Sequence, residues 1–382
     1  MLEAESSSVA LRAQKRIEWE NEFYDFTNLL EFYTKQQQKK APNSFKNNIH
    51  YLKYYVLPFF LTIKRSNNIS QWFDFYPDFR EWLEEEARLI KRPNRKISYS
   101  SKNHAIKAPN TFMKHIYDRR IIDRVYPCEA FPAYTLTEKG IEALISLDEM
   151  EEVYAQLIKN GAKLEAVFYR FLFFTGMRFN EALGLHPANI YDGKIEERAL
   201  ASHLERHSIK YYGYVVFNSQ PDHKTRGLRD PKGIIQRKPL KGRKRIDDRS
   251  ARTVVITDKL LWNELVALHN QVLVHFDGKL FGEDISQYPI FEGADKTSSA
   301  NKLRKAYEKV GLHYRSWHCC RHTRATMLIG ETGNTFLARL WLGHSSEKVL
   351  NRYVHIYEAV VRSVKKKNGE GGSMIRQLRP VE

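Results

Sequence analysis

Residues 318–322 read His318-Cys319-Cys320-Arg321-His322, and two further fragments follow: Leu342-Gly343-His344, then Tyr353 nine residues past that histidine. Upstream stands Thr175-Gly176-Met177-Arg178-Phe179-Asn180-Glu181-Ala182-Leu183, with a basic segment around Lys241 between it and the rest. Two arginines, two histidines and a tyrosine in this order suit phosphoryl transfer without a metal. Guanidinium groups clamp phosphate oxygens in pairs, histidines donate hydrogen bonds or move protons near neutral pH, and a tyrosine hydroxyl can act as nucleophile. A zinc reading of 318–322 fails on geometry: on a helix His318 and His322 share a face, the cysteines point elsewhere, and four closed ligands are not supplied. The sequence therefore predicts no metal ion and no cofactor.

Charge narrows the partner. The 382-residue chain carries 62 Lys and Arg against 45 Asp and Glu, a formal charge of +17. Such a field speeds encounter with a polyanion and supplies non-specific affinity for it, although a ribosome-associated or membrane-surface protein would share it. No apolar run approaches the roughly 20 residues that span a bilayer, and Met1 to Arg16 is polar without a signal-peptide core. Three cysteines, Cys128, Cys319 and Cys320, two of them adjacent, fit a reducing compartment and no disulfide framework. The expectation is a cytoplasmic, nucleic-acid-associated protein without a membrane partner, long enough for two domains.

The fragments resemble the tyrosine recombinases, the phage-integrase family of site-specific DNA recombinases, over roughly residues 140–365. Arg178 falls on that family's first catalytic arginine and Glu181 on the acidic residue that supports it. His318 and Arg321 fall on its His-x-x-Arg pair, His344 on the histidine of its Leu-Gly-His box, and Tyr353 on its nucleophile. One departure is mild: Cys320 stands where leucine is common, and cysteine packs as a small hydrophobe. The resemblance implies a mainly α fold with a small antiparallel β-sheet. It also implies a helical N-terminal core-binding domain and a catalytic domain, together a C-shaped clamp on DNA. The boundaries read as a polar tail (1–16), the core-binding domain (17–122), a linker (123–136), the catalytic domain (137–367) and a C-terminal tail (368–382).

Local patterns fill in that outline. Trp19, Phe23, Phe26, Leu30 and Tyr33 predict a helix over 17–36. A second is expected from Ser44 to Ile63, ended or kinked by Pro58, a third from Asp78 to Ile90, and a fourth from Ser98 to Ile122, interrupted at Pro109. The N-terminal unit should be all-helical. The loosened pattern around Pro127 and Pro132 marks the linker. Leu136 to Leu147 reads as a helix capped near Thr137, and Leu164 to Leu185 as a strong one broken at Thr175-Gly176. A charge such as Arg178 in that apolar setting is costly unless paired or reaching a ligand; an ion pair with Glu181, three residues on, is the plain structural alternative.

Residues 191–257 contain strands at Tyr211 to Asn218 and Arg252 to Thr257. In the family a β-hairpin lysine here is the general acid for the leaving 5′ hydroxyl. Lys241 fits the family's Lys-Gly-x-Lys wording, with Lys238, Lys224 and Lys244 as alternatives. Each lysine could equally be a solvated phosphate contact. Arg178 and Lys241 are 63 residues apart, a spacing that implies an insertion between Tyr191 and Arg237. Candidate DNA contacts are Lys102, Asn103 and Lys107 in the polar stretch after Ser98, and Lys238, Arg243 and Lys244 beside Lys241.

The C-terminal third reads as helices at Asn301 to Val310, Cys319 to Ile329 and Phe336 to Leu342, the last capped by Gly343. A turn is expected at 330–334. A short helix should bear Tyr353 and continue over Ile356 to Lys367, either as a docking helix for a neighbouring protomer or as a basic end touching DNA. Tyr314 and Tyr357 compete as nucleophiles on chemistry alone; spacing from His344 selects Tyr353.

The resemblance implies that Tyr353 attacks phosphorus with His318 as base and the lysine as acid. Arg178, Arg321 and His344 would stabilise the phosphate, and a homo-tetramer would work on double-stranded DNA carrying a specific site. Accessory DNA-bending or directionality proteins are possible partners. A type IB topoisomerase would use a similar set but generally lacks the His-x-x-Arg form. A non-catalytic sequence-specific DNA-binding protein would be expected to have lost at least one of these residues.

Overall fold

A computed structural model of the chain describes residues 14, 23–37, 42–89, 92–122, 141–222, 234–241, 246, 251–277, 284–343 and 347–366. Packing divides the chain into two units, 1–134 and 135–382. The proposed linker at 123–136 and the cap at Thr137 lie outside the described residues, as do all of the two tails except Gln14.

The first unit is built on aromatic side chains. Helix α1 (Phe26–Gln37) opens at Asp25, whose carboxylate accepts the Asn28 N–H at 2.7 Å. The same carboxylate holds Asn67, and Asp25 forms a bridge with Asn68. Of the predicted helix over 17–36, residues 17–22 lie outside the described residues, and α1 starts only after Tyr24-Asp25, where the Asp25 side chain caps it.

Helix α2 (Pro42–Tyr51) runs on through two π turns, Leu52–Val56 and Phe59–Lys64, to a left-handed stop at Arg65. Pro58 neither ends nor visibly breaks it. Widening to π geometry on either side re-registers the carbonyls that a proline cannot serve. Helix α3 (Trp72–Glu85) begins six residues before the expected Asp78 and stops before Ile90. A short antiparallel hairpin follows, β1 (Arg88–Leu89) with β2 (Arg92–Lys96), so the unit is not all-helical.

Helix α4 (Tyr99–Tyr117) opens at Ser98, whose hydroxyl accepts the Ser101 N–H. It passes through Pro109 without interruption. A proline here costs roughly 3 kcal/mol, but Ala105, Ala108 and Phe112 are fully buried and α4 packs along α2. Phe26, Phe60, Trp72, Phe79 and Phe112 are likewise fully buried, with Phe60 stacked on Trp72.

The second unit centres on an apolar helix. Of the helix expected over 136–147, residues 136–140 lie outside the described residues, 141–142 are helical and the chain turns at 143. A separate helix, α5 (Leu147–Lys159), opens on a capping box in which Ser146 and Glu149 satisfy each other's backbone N–H. Helix α6 (Lys163–Thr175) then carries Ala166, Val167, Phe168, Tyr169, Phe171, Leu172 and Phe173, all 1 % exposed or less. A helix apolar around its whole circumference belongs at the centre of a domain. It stops at Gly176, at φ +65°, where a Cβ would lie 2.6 Å from Leu342 and 3.1 Å from Arg324. Glycine is required there twice over, by backbone hand and by space. Helix α7 (Phe179–Leu183) follows at once.

The strands come next. β3 (Ile190–Tyr191), β4 (Gly213–Phe217) and β7 (Arg252–Ile256) form an antiparallel sheet in the order β3-β4-β7, with Val215 opposite Val254. β5 (Ser219–Pro221) pairs with β6 (Arg237–Pro239), Gln220 opposite Lys238. The insertion contributes α8 (Arg198–Arg206), which buries Leu200 and Leu204 in the common core.

Helices α9 (Lys259–Asp277), α10 (Ser298–Lys309), α11 (Trp317–Thr332) and α12 (Thr335–Leu342) follow the strands. After them α13 (Glu347–Lys366) is one 20-residue helix that carries Tyr353 and packs on α11. The expected turn at 330–334 tightens to Gly333, because α11 continues to Thr332.

Candidate active site

Arg178 is the residue that opens α7. Its backbone N–H donates to Glu181 Oε2 at 3.1 Å and its Nη1 to Glu181 Oε1 at 2.7 Å, so one carboxylate caps the helix and aims the guanidinium. The ion pair weighed as a structural alternative is present, yet the Arg178 side chain keeps 23 % of its surface while that of Glu181 keeps none.

Glu181 has a second partner that the sequence reading did not single out. Arg252, at the start of β7, donates from Nη2 to Glu181 Oε2 at 2.8 Å and from Nη1 to the carbonyl of Leu342, with its guanidinium 4.5 Å above the Phe217 ring. A charged residue opening the apolar strand Arg252-Thr253-Val254-Val255-Ile256 was the available signal.

Arg321 joins the same lattice from the first turn of α11. It is 2 % exposed and donates to the carbonyls of Gly176 at 2.8 Å and Leu342 at 2.6 Å. The two turns that end α6 and α12 are thus tied to one guanidinium. Leu342 O receives both Arg252 and Arg321, and Gly343 sits beside it at φ +62°, where a Cβ would approach Arg252 Nη1.

Among the described residues, three guanidinium groups stand around the Glu181 carboxylate. Burial pushes the Glu181 carboxyl up, but Arg252, Arg178 and Arg321 outweigh it and hold it at about 2. Burial, then Arg178 and Arg252, pull Arg321 down to about 9, against Glu181 and Tyr353, which favour its charge. Guanidinium charge this deeply placed is expensive unless it is matched by a carboxylate or a ligand.

The remaining candidates divide. His318 is exposed at the start of α11, and its pKa is lowered by partial desolvation and by the charges of Arg321, Arg178 and Lys241. Lys241, exposed in the turn after β6, is therefore close enough to act electrostatically on this imidazole. Lys238 pairs with Asp222 at 2.9 Å. Lys224, Arg243 and Lys244 lie outside the described residues, as does His344, which follows Gly343 directly. In the first unit Lys102 is only 4 % exposed, with its ammonium on the Glu84 carbonyl. That burial corrects its reading as a DNA contact. Asn103 is half-buried and Lys107 exposed on the same helix.

Tyr353 is 3 % exposed, and its hydroxyl lies 3.0 Å from Nδ1 of His322, the second residue that the sequence reading left without a role. The rings of His318 and His322 meet edge to face at 4.6 Å, as their four-residue helical spacing predicts. The rival tyrosines stand in other contacts. Tyr357 packs over Gly330, where a Cβ would meet its ring at 2.6 Å. Tyr314 lies against Tyr307 with Arg304 over its face, and burial raises its pKa. Cys320 is fully buried in the core, as expected of a small hydrophobe.

No protein-family model and no curated protein sequence matches the chain. Solved structures do. The Tn1549 transposon integrase in complex with a circular intermediate DNA superposes with a TM-score of 0.54 at 14 % identity, over 89 % of this chain and 99 % of that one. XerH site-specific recombinase bound to difH substrate gives 0.51 at 15 % identity, over 88 % and 83 %. A lambda integrase tetramer bound to a Holliday junction gives 0.50 at 13 % identity, over 86 % and 76 %. At such identities the likeness is one of architecture: this mainly helical chain with its small antiparallel sheet has the fold of the tyrosine recombinases.

Proposed function

We propose that the protein is a site-specific DNA recombinase or integrase that cleaves and rejoins strands through a 3′-phosphotyrosyl intermediate. The observation that carries this reading is the guanidinium cluster around Glu181. Arg178, Arg252 and Arg321 share one carboxylate, with Lys241 near enough to act on His318. A phosphodiester would add negative charge to this cluster, and Arg178 retains the exposed surface to receive it. Arg178 and Arg321 would stabilise the non-bridging oxygens as charge builds, with His344 beside them. Tyr353 would attack phosphorus, and Lys241 would protonate the departing 5′ oxygen. The energy of the broken bond is kept in the adduct, so strand joining needs no separate energy source.

The fold likeness supports the same reading, since the similar structures are two integrases and a site-specific recombinase on DNA. By analogy with the lambda integrase tetramer, four protomers would act on two duplexes, with α13 or the residues after it as the link between them. The first unit would add contacts to DNA, and accessory proteins would set directionality.

The test is capture of covalent protein–DNA adducts in cells, comparing the native chain with Tyr353→Phe. Adducts at one recurring sequence from the native chain alone are expected, and they would also identify the target. Adducts scattered without preference would indicate a topoisomerase-like nicking-closing enzyme. Tight DNA binding with no adduct would leave a binding protein and overturn the enzymatic reading.

A further inference from the structure

We propose that His322 holds the Tyr353 hydroxyl and takes its proton as that oxygen attacks phosphorus. The proposal rests on the recombinase reading above and gives to His322 the proton-accepting role that the resemblance implied for His318.

The geometry is local. His322 Nδ1 lies 3.0 Å from Tyr353 Oη, within hydrogen-bond range, and the two rings are 5.6 Å apart. In the tautomer with its proton on Nε2, Nδ1 accepts from the phenol. Tyr353 is 3 % exposed, so bulk water has little access to its side chain and a protein group is the better proton acceptor. His322 sits one helical turn after His318 on the same face of α11, edge to face with it. Immediately next to it in sequence is Arg321, locked to the Gly176 and Leu342 carbonyls. Phosphate clamp and proton acceptor would thus share one rigid turn.

A phenol with an ordinary pKa of about 10 is a poor nucleophile at neutral pH, and a positioned imidazole is the natural base for it. Arg321, Arg178 and Lys241 place positive charge around His318, which fits that ring for contact with phosphate and leaves His322 for the tyrosine. As the Oη–P bond forms and the P–O5′ bond breaks, the phenolic proton passes to His322 Nδ1. The 5′ oxygen takes a proton from Lys241. When a 5′ hydroxyl later attacks the adduct, it returns its proton to the lysine, the P–Oη bond breaks, and His322 gives its proton back to Tyr353.

Two measurements separate this proposal from the reading beneath it. In the first, the protein carries tyrosine labelled with ¹³C at Cζ, and the Tyr353 resonance is assigned with Tyr353→Phe. That resonance should respond to the titration of His322 in the native chain and lose the response in His322→Phe. A Tyr353 resonance indifferent to the substitution overturns the proposal, whatever the protein does to DNA.

In the second, the native chain meets a pool of nicked duplexes of randomised sequence, and adduct formation is timed against pH on a duplex that it selects. His322→Phe should bind that duplex as tightly but form adduct about 10²–10⁴-fold more slowly, without the native profile's dependence on a neutral imidazole. His322→Gln, which can still hydrogen-bond the hydroxyl but cannot take its proton, should remain folded and slow. Native rate and pH profile in both variants would overturn the proposal. No adduct from the native chain would overturn both the recombinase reading and the proton transfer, while the resonance still decides the hydrogen bond.

Discussion

Helix α6 and the turn that ends it present two buried arginine networks of opposite balance. Arg170, midway along the helix, donates to both oxygens of Asp258 at 2.7 and 3.0 Å and to Glu151 at 2.7 Å, between the rings of Tyr154 and Phe174. One guanidinium faces two carboxylates. Burial alone would lower its pKa, but hydrogen bonds and charge from Asp258 and Glu151 raise it. At the end of the helix, among the described residues, three guanidiniums gather around one carboxylate, and Arg321 is pulled down to about 9. The first network is closed and holds the fold together: Asp258 also accepts the Leu261 N–H that starts α9. In the proposed function the second offers its charge to a phosphodiester. Burial alone does not distinguish a structural arginine from a functional one; the balance of its partners does.

The largest effect should come from breaking the closed network. Arg170→Met leaves Asp258 and Glu151 without their cation and should lower the unfolding free energy by roughly 3 kcal/mol, the low end for a broken buried pair, because the Glu151 side chain is 44 % exposed. Urea unfolding measures this loss, and adduct formation per folded molecule should not change. A similar loss of rate without loss of stability would reverse the assignment of the two networks.

Arg321→Lys sharpens the comparison from the other side. Lysine keeps a charge but not the fork that spans Gly176 O and Leu342 O while facing phosphate. Adduct formation should slow by about 10²–10³, with a stability change smaller than that of Arg170→Met. Single-turnover cleavage of the duplex selected by the native chain, beside a melting curve, distinguishes the two outcomes.

The Glu181 carboxylate makes the comparison titratable. Its folded pKa of about 2 lies below the ordinary value of 4.5. Its contribution is therefore fully present above pH 4.5 and lost as pH falls toward 2, a contribution of roughly 3 kcal/mol by linkage. Glu181→Gln should flatten that part of the acid limb of the stability profile. An unchanged acid limb would show that Glu181 is not the counter-charge described.

The smallest effect is expected from anions. Inorganic sulfate at a concentration several times its dissociation constant should stabilise the native chain by about 1 kcal/mol, seen as a rise in melting temperature at fixed ionic strength. The rise should shrink in Arg178→Ala and persist in Arg170→Met. Equal shrinkage in both would remove the distinction.

Much of this arrangement was legible in the residues. Arg178, Glu181, His318, Arg321 and Tyr353 were all named from spacing and resemblance. Strands at 213–217 and 252–256 and the glycine stops at Gly176 and Gly343 follow from β-branched runs and from the left-handed backbone that glycine tolerates. Periodicity misjudged the prolines. Pro58 and Pro109 both read as breaks, yet π turns re-register the carbonyls around one, and close packing of α4 on α2 sustains the helix through the other. It also missed α5, whose start is fixed by the reciprocal bonds of Ser146 and Glu149.

What the sequence determined alone was the chemistry of its parts: basic, without a membrane-length apolar run, with arginines, histidines and a tyrosine in an order suited to phosphate. What tertiary structure decided was which of them meet. Arg252 reaches Glu181 across 71 positions and His322 reaches Tyr353 across 31. Lys102, polar in the sequence, turns inward to the Glu84 carbonyl. Local propensity acts through neighbours within a few residues, whereas a charge takes its pKa and its role from whatever packing brings within a few ångströms.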